Sequence, residues 1–72
     1  MSALDAALIA AHEAEDTSRL IRLYTQAAEE TTDPDAAGFY LTHAYIFALE
    51  AGAEEAHGLR QRLIEMGRES PL

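Results

Sequence analysis

Several residue types that stabilise or equip small domains are missing from this chain. None of its 72 residues is cysteine, so it has neither disulfide bonds nor thiolate ligands for a metal ion. A domain of this size buries only about 60% of the surface that its unfolded chain exposes. We therefore expect its stability to depend on close helix packing, on a partner or on self-association.

Residues that favour β-structure are also scarce, because valine is absent and isoleucine occurs only four times. Alanine, leucine, glutamate and arginine are prominent instead, and all four are strong helix formers. This composition predicts an all-α protein and argues against a sheet.

Positive charge is sparse as well. Five arginines and no lysine face 13 aspartates and glutamates, which leaves a net charge of −8. Phosphate backbones and anionic lipid surfaces repel so acidic a chain, so we expect neither nucleic acid nor a membrane among its partners. The first apolar stretch, residues 3–11, carries Asp5, lacks a basic start and is too short to span a bilayer. We expect a cytoplasmic protein.

Hydrophobic residues recur at helical spacing in four segments. The sequence predicts one all-α domain over residues 1–72, with helices over about residues 3–14, 18–30, 34–51 and 53–66 and a tail over residues 67–72. The short connections make consecutive helices antiparallel neighbours, so the four helices form two helical hairpins.

The helix boundaries have recognisable chemistry. Ser2 and Asp5 have the spacing of a capping box, in which each side chain bonds to the other residue's backbone amide. Asp33 followed by Pro34 predicts a helix start, since proline loses nothing at the first helical position. Gly52 and Gly67 are placed to end the third and fourth helices.

The third helix is the most apolar segment, and a helix that is apolar nearly all round packs on more than one side. It is therefore predicted to be the central helix. One of its predicted faces consists of Ala37, Tyr40, Leu41, Ala44, Ala48 and Ala51. A second consists of Phe39, His43, Ile46 and Phe47.

The second face has two possible roles. Phe39, His43 and Phe47 follow one another at i, i+4 and i+8, which is the spacing of a groove with aromatic anchors for a partner. The alternative is that the first and fourth helices cover this line and make it core. Both interpretations remain open from the sequence.

The two halves of the chain resemble each other at a shift of about 36 residues, which indicates two copies of one hairpin. The second copy contains Leu41-Thr42-His43-Ala44-Tyr45, then Gly52 and Ala56, and this resembles the tetratricopeptide repeat. In the first copy, Leu20, Tyr24 and Ala27 fall at similar positions, and Asp33-Pro34 lies near the proline that closes a repeat. A plain packing of four helices as a small bundle is the rival architecture.

The resemblance implies a protein-binding module whose concave surface comes from the first helix of each hairpin. In this chain that surface would include Glu13 from the first helix and Phe39, His43, Ile46 and Phe47 from the third. The lysines and asparagines with which one subgroup of the family clamps C-terminal carboxylates have no counterpart at these positions.

Nothing in the sequence predicts catalysis or a cofactor. Glu54 and His57 have the i, i+3 spacing of metal ligands in helical bundles, but the second such motif that these sites need is missing. The serines stand at helix starts or in the tail, and no phosphate loop is present. We therefore expect no metal, no cofactor and no enzymatic activity.

Three functional hypotheses follow from these observations. The first is a small protein-interaction module, an adaptor or regulator with a protein partner. The second is a helical bundle that forms homodimers, or a subunit of a larger assembly, through its surplus apolar surface. The third, which has the least support, is an acidic inhibitor that imitates nucleic acid.

Overall fold

The computed structural model describes residues 2–68, and they contain four helices and no strand. The helices are α1 (Ala3–Glu13), α2 (Thr17–Glu30), α3 (Pro34–Ala51) and α4 (Glu55–Glu65). The predicted all-α architecture is confirmed, with every boundary within two residues. The fourth helix begins later than predicted because Ala53 and Glu54 lie in the turn after Gly52. Of the predicted tail, residues 69–72 lie outside the described residues.

Three of the four helices, α1, α2 and α3, begin with a side-chain cap, and α4 begins without one. Ser2 Oγ accepts a bond from the Asp5 amide at 3.1 Å, and the Asp5 carboxylate accepts one from the Ser2 amide at 3.4 Å. Asp16 caps α2 through the Arg19 amide at 3.2 Å. Asp33 caps α3 ahead of Pro34. Each cap gives a partner to an amide that the first helical turn leaves unbonded.

Three of the helices end in the same way. Glu15, Gly52 and Gly67 follow α1, α3 and α4 with left-handed backbones, at φ angles of 53°, 63° and 73°. The amide after each of them bonds to a carbonyl five residues earlier, at 2.8–3.0 Å. This is the Schellman motif, which satisfies the last carbonyls of a helix and reverses the chain. The turns within both hairpins, α1–α2 and α3–α4, are therefore built alike.

The helices pack in chain order. α1 contacts α2, α2 contacts α3 and α3 contacts α4, whereas α1 makes no backbone contact with α3 or α4 within residues 2–68. α2 and α4 are linked at their surfaces by an ion pair between Glu29 and Arg62 at 3.6 Å. The prediction that α3 packs on more than one side is confirmed, and α2 shares this central position.

Two sets of buried residues reflect this order. The main core lies between α2, α3 and α4 and comprises Ile21, Ala28, Leu41, Ala44, Ala48, Ala56, Leu59 and Leu63. A separate set, Ala11, Leu20 and Ala27, is buried in the helices of the first hairpin. Ala51, which the sequence groups with Leu41, Ala44 and Ala48 on one face of α3, is the last helical residue and is exposed beside the turn.

The end of α4 is fastened to the start of α3. The guanidinium of Arg68 lies 2.5 Å from the Asp35 carboxylate and 3.4 Å from the Pro34 carbonyl oxygen. Its side chain crosses Gly38, where a Cβ atom would collide with it. Glycine at position 38 therefore leaves room for the Arg68 side chain. The contact of Arg68 with Asp35 and Pro34 holds α4 antiparallel to α3.

Candidate interaction surface

Six aromatic and histidine rings from three helices form one connected group, here called the ring cluster. Its members are His12 of α1, Tyr24 of α2, and Phe39, Tyr40, His43 and Phe47 of α3. The α3 members lie on neighbouring turns because residues three and four apart share one side of a helix. The cluster therefore joins both hairpins across one side of the domain.

Tyr24 is at the centre of the ring cluster. Its ring stacks on those of His43 and Phe47, at centroid distances of 5.1 and 5.9 Å, and lies 6.3 Å from Tyr40. Its hydroxyl is hydrogen-bonded to Nε2 of His12 over 2.8 Å. Burial raises the pKa of Tyr24, and the neighbouring Tyr40 raises it further. Tyr24 is therefore held from several sides and gives the cluster a fixed base.

His43 is held equally firmly. Its Nδ1 lies 2.9 Å from the carbonyl oxygen of Phe39, and since a carbonyl only accepts, Nδ1 carries the proton and donates. Its ring lies 4.3 Å from the Phe39 ring and is half-buried between Phe39 and Tyr24. The imidazole ring is therefore held in one orientation at the side of the ring cluster.

Large apolar side chains remain exposed beside the ring cluster. Phe39, Ile46 and Leu49 of α3 are 57%, 47% and 56% exposed. Ile46 lies two turns after Phe39 and one turn before Leu49, so the three lie along one side of α3. We call these three residues the α3 stripe. Ile9 of α1, 49% exposed, lies one turn before His12 and extends apolar surface along α1.

The predicted site residues meet only in part. Phe39, His43 and Phe47 come together in the ring cluster, with Phe39 exposed and the other two half-buried. Ile46 is exposed in the α3 stripe. Glu13 is exposed at the end of α1 and takes no part in the cluster. The rings of α3 therefore form neither an open groove nor a closed core. His43 and Phe47 are packed against α2, and Phe39 is exposed to solvent.

Sequence reasoning missed four residues of this region. In the sequence, Tyr24 appears only in the repeat pattern of the first hairpin, and no pattern singles out His12, Ile9 or Leu49. The hydroxyl of Tyr24 was the feature that could have indicated its role, because a buried phenol hydroxyl needs a hydrogen-bond partner. The pairing with His12 depends on how α1 packs against α2, which no local pattern shows.

Two further features of the described surface bear on small ligands. Within residues 2–68, no group of three or more histidines, aspartates or glutamates is arranged to hold a metal ion. An open depression of about 370 Å³ lies between α1 and α2, away from the ring cluster, with Leu4, Leu23 and Glu30 among its lining residues. None of the helices in the described part of the chain combines the length and the apolar character that crossing a bilayer requires.

The fold and this surface together define a class: a small all-α domain of four sequentially packed helices, with an aromatic and aliphatic surface open along α3. No protein-family model, no curated protein and no solved structure matches the chain.

Proposed function

We propose that this domain is a small, non-catalytic protein-interaction module, an adaptor or regulator that binds its partner through the ring cluster and the α3 stripe. The observation that carries the proposal is the exposure of Phe39, Ile46 and Leu49 along one helix. Several large apolar side chains exposed along one helix of a small acidic domain are the kind of surface that supports a protein-binding site.

The organisation of the surface supports the same function. Interface energy is concentrated in a few aromatic anchors at well-packed positions. Phe39 has this form, because its outer edge is exposed while its ring contacts Tyr40 at 5.8 Å and His43 at 4.3 Å. Side chains that are already restrained lose less freedom on binding, so the packed base lowers the entropic cost of association.

The packing order of the helices supports the tetratricopeptide-like form of the proposal. In repeat proteins each repeat packs on the repeat before or after it, and here the two hairpins pack on each other through α2 and α3. α1 and α3, the first helices of the two hairpins, meet across Tyr24, where the rings of His12 and Phe47 lie 5.9 Å apart. These are the helices that the resemblance assigns to the binding surface.

Self-association is the second candidate function, because the same stripe could bury its apolar area against a second copy. A homodimer would melt at a temperature that rises with protein concentration, whereas the melting of a monomer would not change. Sedimentation of the purified chain over a wide concentration range separates these two cases.

The proposal is tested by affinity capture from the native cell extract with wild type, Phe39→Ala and Met66→Ala. Met66 is the matched control, since it is an exposed apolar residue just after α4 and takes no part in the ring cluster. We expect a stoichiometric partner to be captured by wild type and Met66→Ala and lost with Phe39→Ala, and to bind the domain directly after purification. Recovery of the chain alone, or equal capture by all three proteins, would contradict the proposal.

A further inference from the structure

Charge is segregated between the helices. All five arginines lie in α2, in α4 or just after α4: Arg19, Arg22, Arg60, Arg62 and Arg68. α1 and α3 contain no arginine and no lysine, and their charged residues are Asp5, Glu13, Asp35 and Glu50. The two helices that contribute the exposed apolar residues are therefore also the two that carry only negative charge.

The carboxylates lie directly beside the apolar residues. Asp35 comes four residues before Phe39 and Glu50 four residues after Ile46, so each lies one turn away on the same side of α3. On α1, Asp5 has the same relation to Ile9. The Asp35 side chain is 91% exposed even though Arg68 contacts it. Carboxylates therefore border the α3 stripe at both ends. Glu50 is exposed, and Asp35 is exposed but already paired with Arg68.

This arrangement determines the chemistry of a complementary partner. Apolar side chains would bury Phe39, Ile46 and Leu49. A cationic side chain would meet Glu50 at one end, and one at the other end would share Asp35 with Arg68, because complementary charge sets the orientation and rate of association. A second copy of the chain would bring further carboxylates against these, so charge opposes self-association through this surface.

Building on the proposed function, we propose that the occupant of this surface is a basic amphipathic helix from a protein partner. The distance along α3 from Asp35 to Glu50 is about 22 Å at the helical rise. A partner helix of about four turns matches this length, with aliphatic or aromatic residues on its inner face and Lys or Arg at each end.

The test uses three synthetic amphipathic peptides of about 15 residues that share one leucine face. Their flanking positions are lysine, glutamine or glutamate, and binding to the full chain is measured by fluorescence anisotropy. We expect the lysine peptide to bind about tenfold more tightly than the glutamine peptide and the glutamate peptide to bind least. Raising the ionic strength from about 0.05 M to about 0.5 M should remove most of the difference, because it shortens the screening length.

Variants locate the binding site. We expect Phe39→Ala to weaken the lysine peptide by about tenfold or more, since it removes the aromatic anchor, while Met66→Ala changes its affinity little. Glu50→Gln should weaken the lysine peptide and leave the glutamine peptide unaffected. Glu65→Gln, at an exposed position on α4, is the matched control and should change neither affinity.

The outcomes of these experiments distinguish a failure of this inference from a failure of the proposed function. If all three peptides bind alike and Phe39→Ala weakens them all, the surface binds apolar segments and the basic partner is wrong. If the lysine peptide binds equally well to Phe39→Ala and Met66→Ala, it is attracted by the overall negative charge of the domain, and the proposed site is wrong. If no peptide binds, the basic-helix occupant is rejected, and the capture experiment decides the proposed function by itself.

Discussion

Glu15 holds a backbone conformation that residues with a side chain rarely adopt. Its φ of 53° lies in the left-handed region, where the equivalent residues after α3 and α4 are glycines. Left-handed backbone costs an L-residue about 1–2 kcal/mol, whereas glycine adopts it freely. The turn of the first hairpin is therefore strained at one residue while the turn of the second is not.

We expect Glu15→Gly to raise the free energy of unfolding by about 0.5–1 kcal/mol, because relief of the strain exceeds the extra freedom that glycine gives the unfolded chain. Urea unfolding followed by circular dichroism measures the change. Ala10→Gly is the control, since this exposed residue lies within α1, where glycine should destabilise by about 1 kcal/mol. Destabilisation by both substitutions would show that the turn tolerates glutamate without strain.

Tyr24 links stability to pH. Its pKa is raised from the ordinary value of 10.0, so the folded protein keeps the phenol proton at pH values where the unfolded chain has lost it. The contribution of the protonated Tyr24 hydroxyl to the free energy of unfolding is fully present below pH 10 and is lost as the pH rises through the folded-state pKa. The chain has no lysine, so no lysine side chain obscures this range.

Tyr24→Phe should lower the free energy of unfolding at pH 7 by about 0.5–1 kcal/mol, because it removes the hydroxyl that bonds to His12. The gap between wild type and variant should then narrow as the pH is raised above the ordinary tyrosine pKa, since only wild type loses stability through this group. Urea unfolding at a series of pH values tests both parts. A gap that stays constant up to high pH would contradict a raised pKa at Tyr24.

At the scale of the element, α3 depends on small residues where it meets its neighbours. Ala44 and Ala48 are both fully buried in the main core, and Leu41 lies on the same side of the helix. Alanine lets neighbouring helices approach closely, and protein interiors have little free volume for added atoms. The aromatic residues of α3 lie beside this strip, which is why the rings border the core instead of filling it.

Ala48→Leu should therefore destabilise the domain by about 1–3 kcal/mol through overpacking. Ala51→Leu is the matched control one turn later, and because Ala51 is exposed we expect a change within about 0.5 kcal/mol. The free energies of unfolding of the two variants test this difference. Equal destabilisation by both would mean that the last turn of α3 is packed.

For the whole molecule, net charge opposes compactness. The ion pairs of Arg62 with Glu29 and of Arg68 with Asp35 are at least partly exposed. Exposed pairs contribute only about 0–1 kcal/mol each. A net charge of −8 on so small a domain works against them, since folding brings the carboxylates closer together.

Added salt should consequently stabilise the protein. We expect the free energy of unfolding to rise by about 0.5–1 kcal/mol between about 0.05 M and 0.5 M sodium chloride, as repulsion is screened. Thermal melting in sodium and potassium chloride should give the same rise, because screening depends on ionic strength. A fall in stability would show that the ion pairs outweigh the repulsion.

The sequence by itself determined the elements of this protein and the ends of its helices. Capping at Ser2 and Asp33 and reversal at Gly52 involve residues within a few positions of one another, so a local pattern contains their physics. On α3 the spacing of apolar residues also placed Leu41, Ala44 and Ala48 on one face, and these three are buried.

Only the tertiary structure decided how the surface is composed. Nearly the whole circumference of α3 is apolar, so periodicity could not tell that Phe39 would stay open while Leu41 was buried. The position of α2 determines which residues of α3 are covered. Tyr24 of α2 packs against the rings of α3 and bonds to His12, which is twelve residues away in the chain. Contacts between residues this far apart depend on how whole helices pack, and helix packing follows from the summed burial of many side chains.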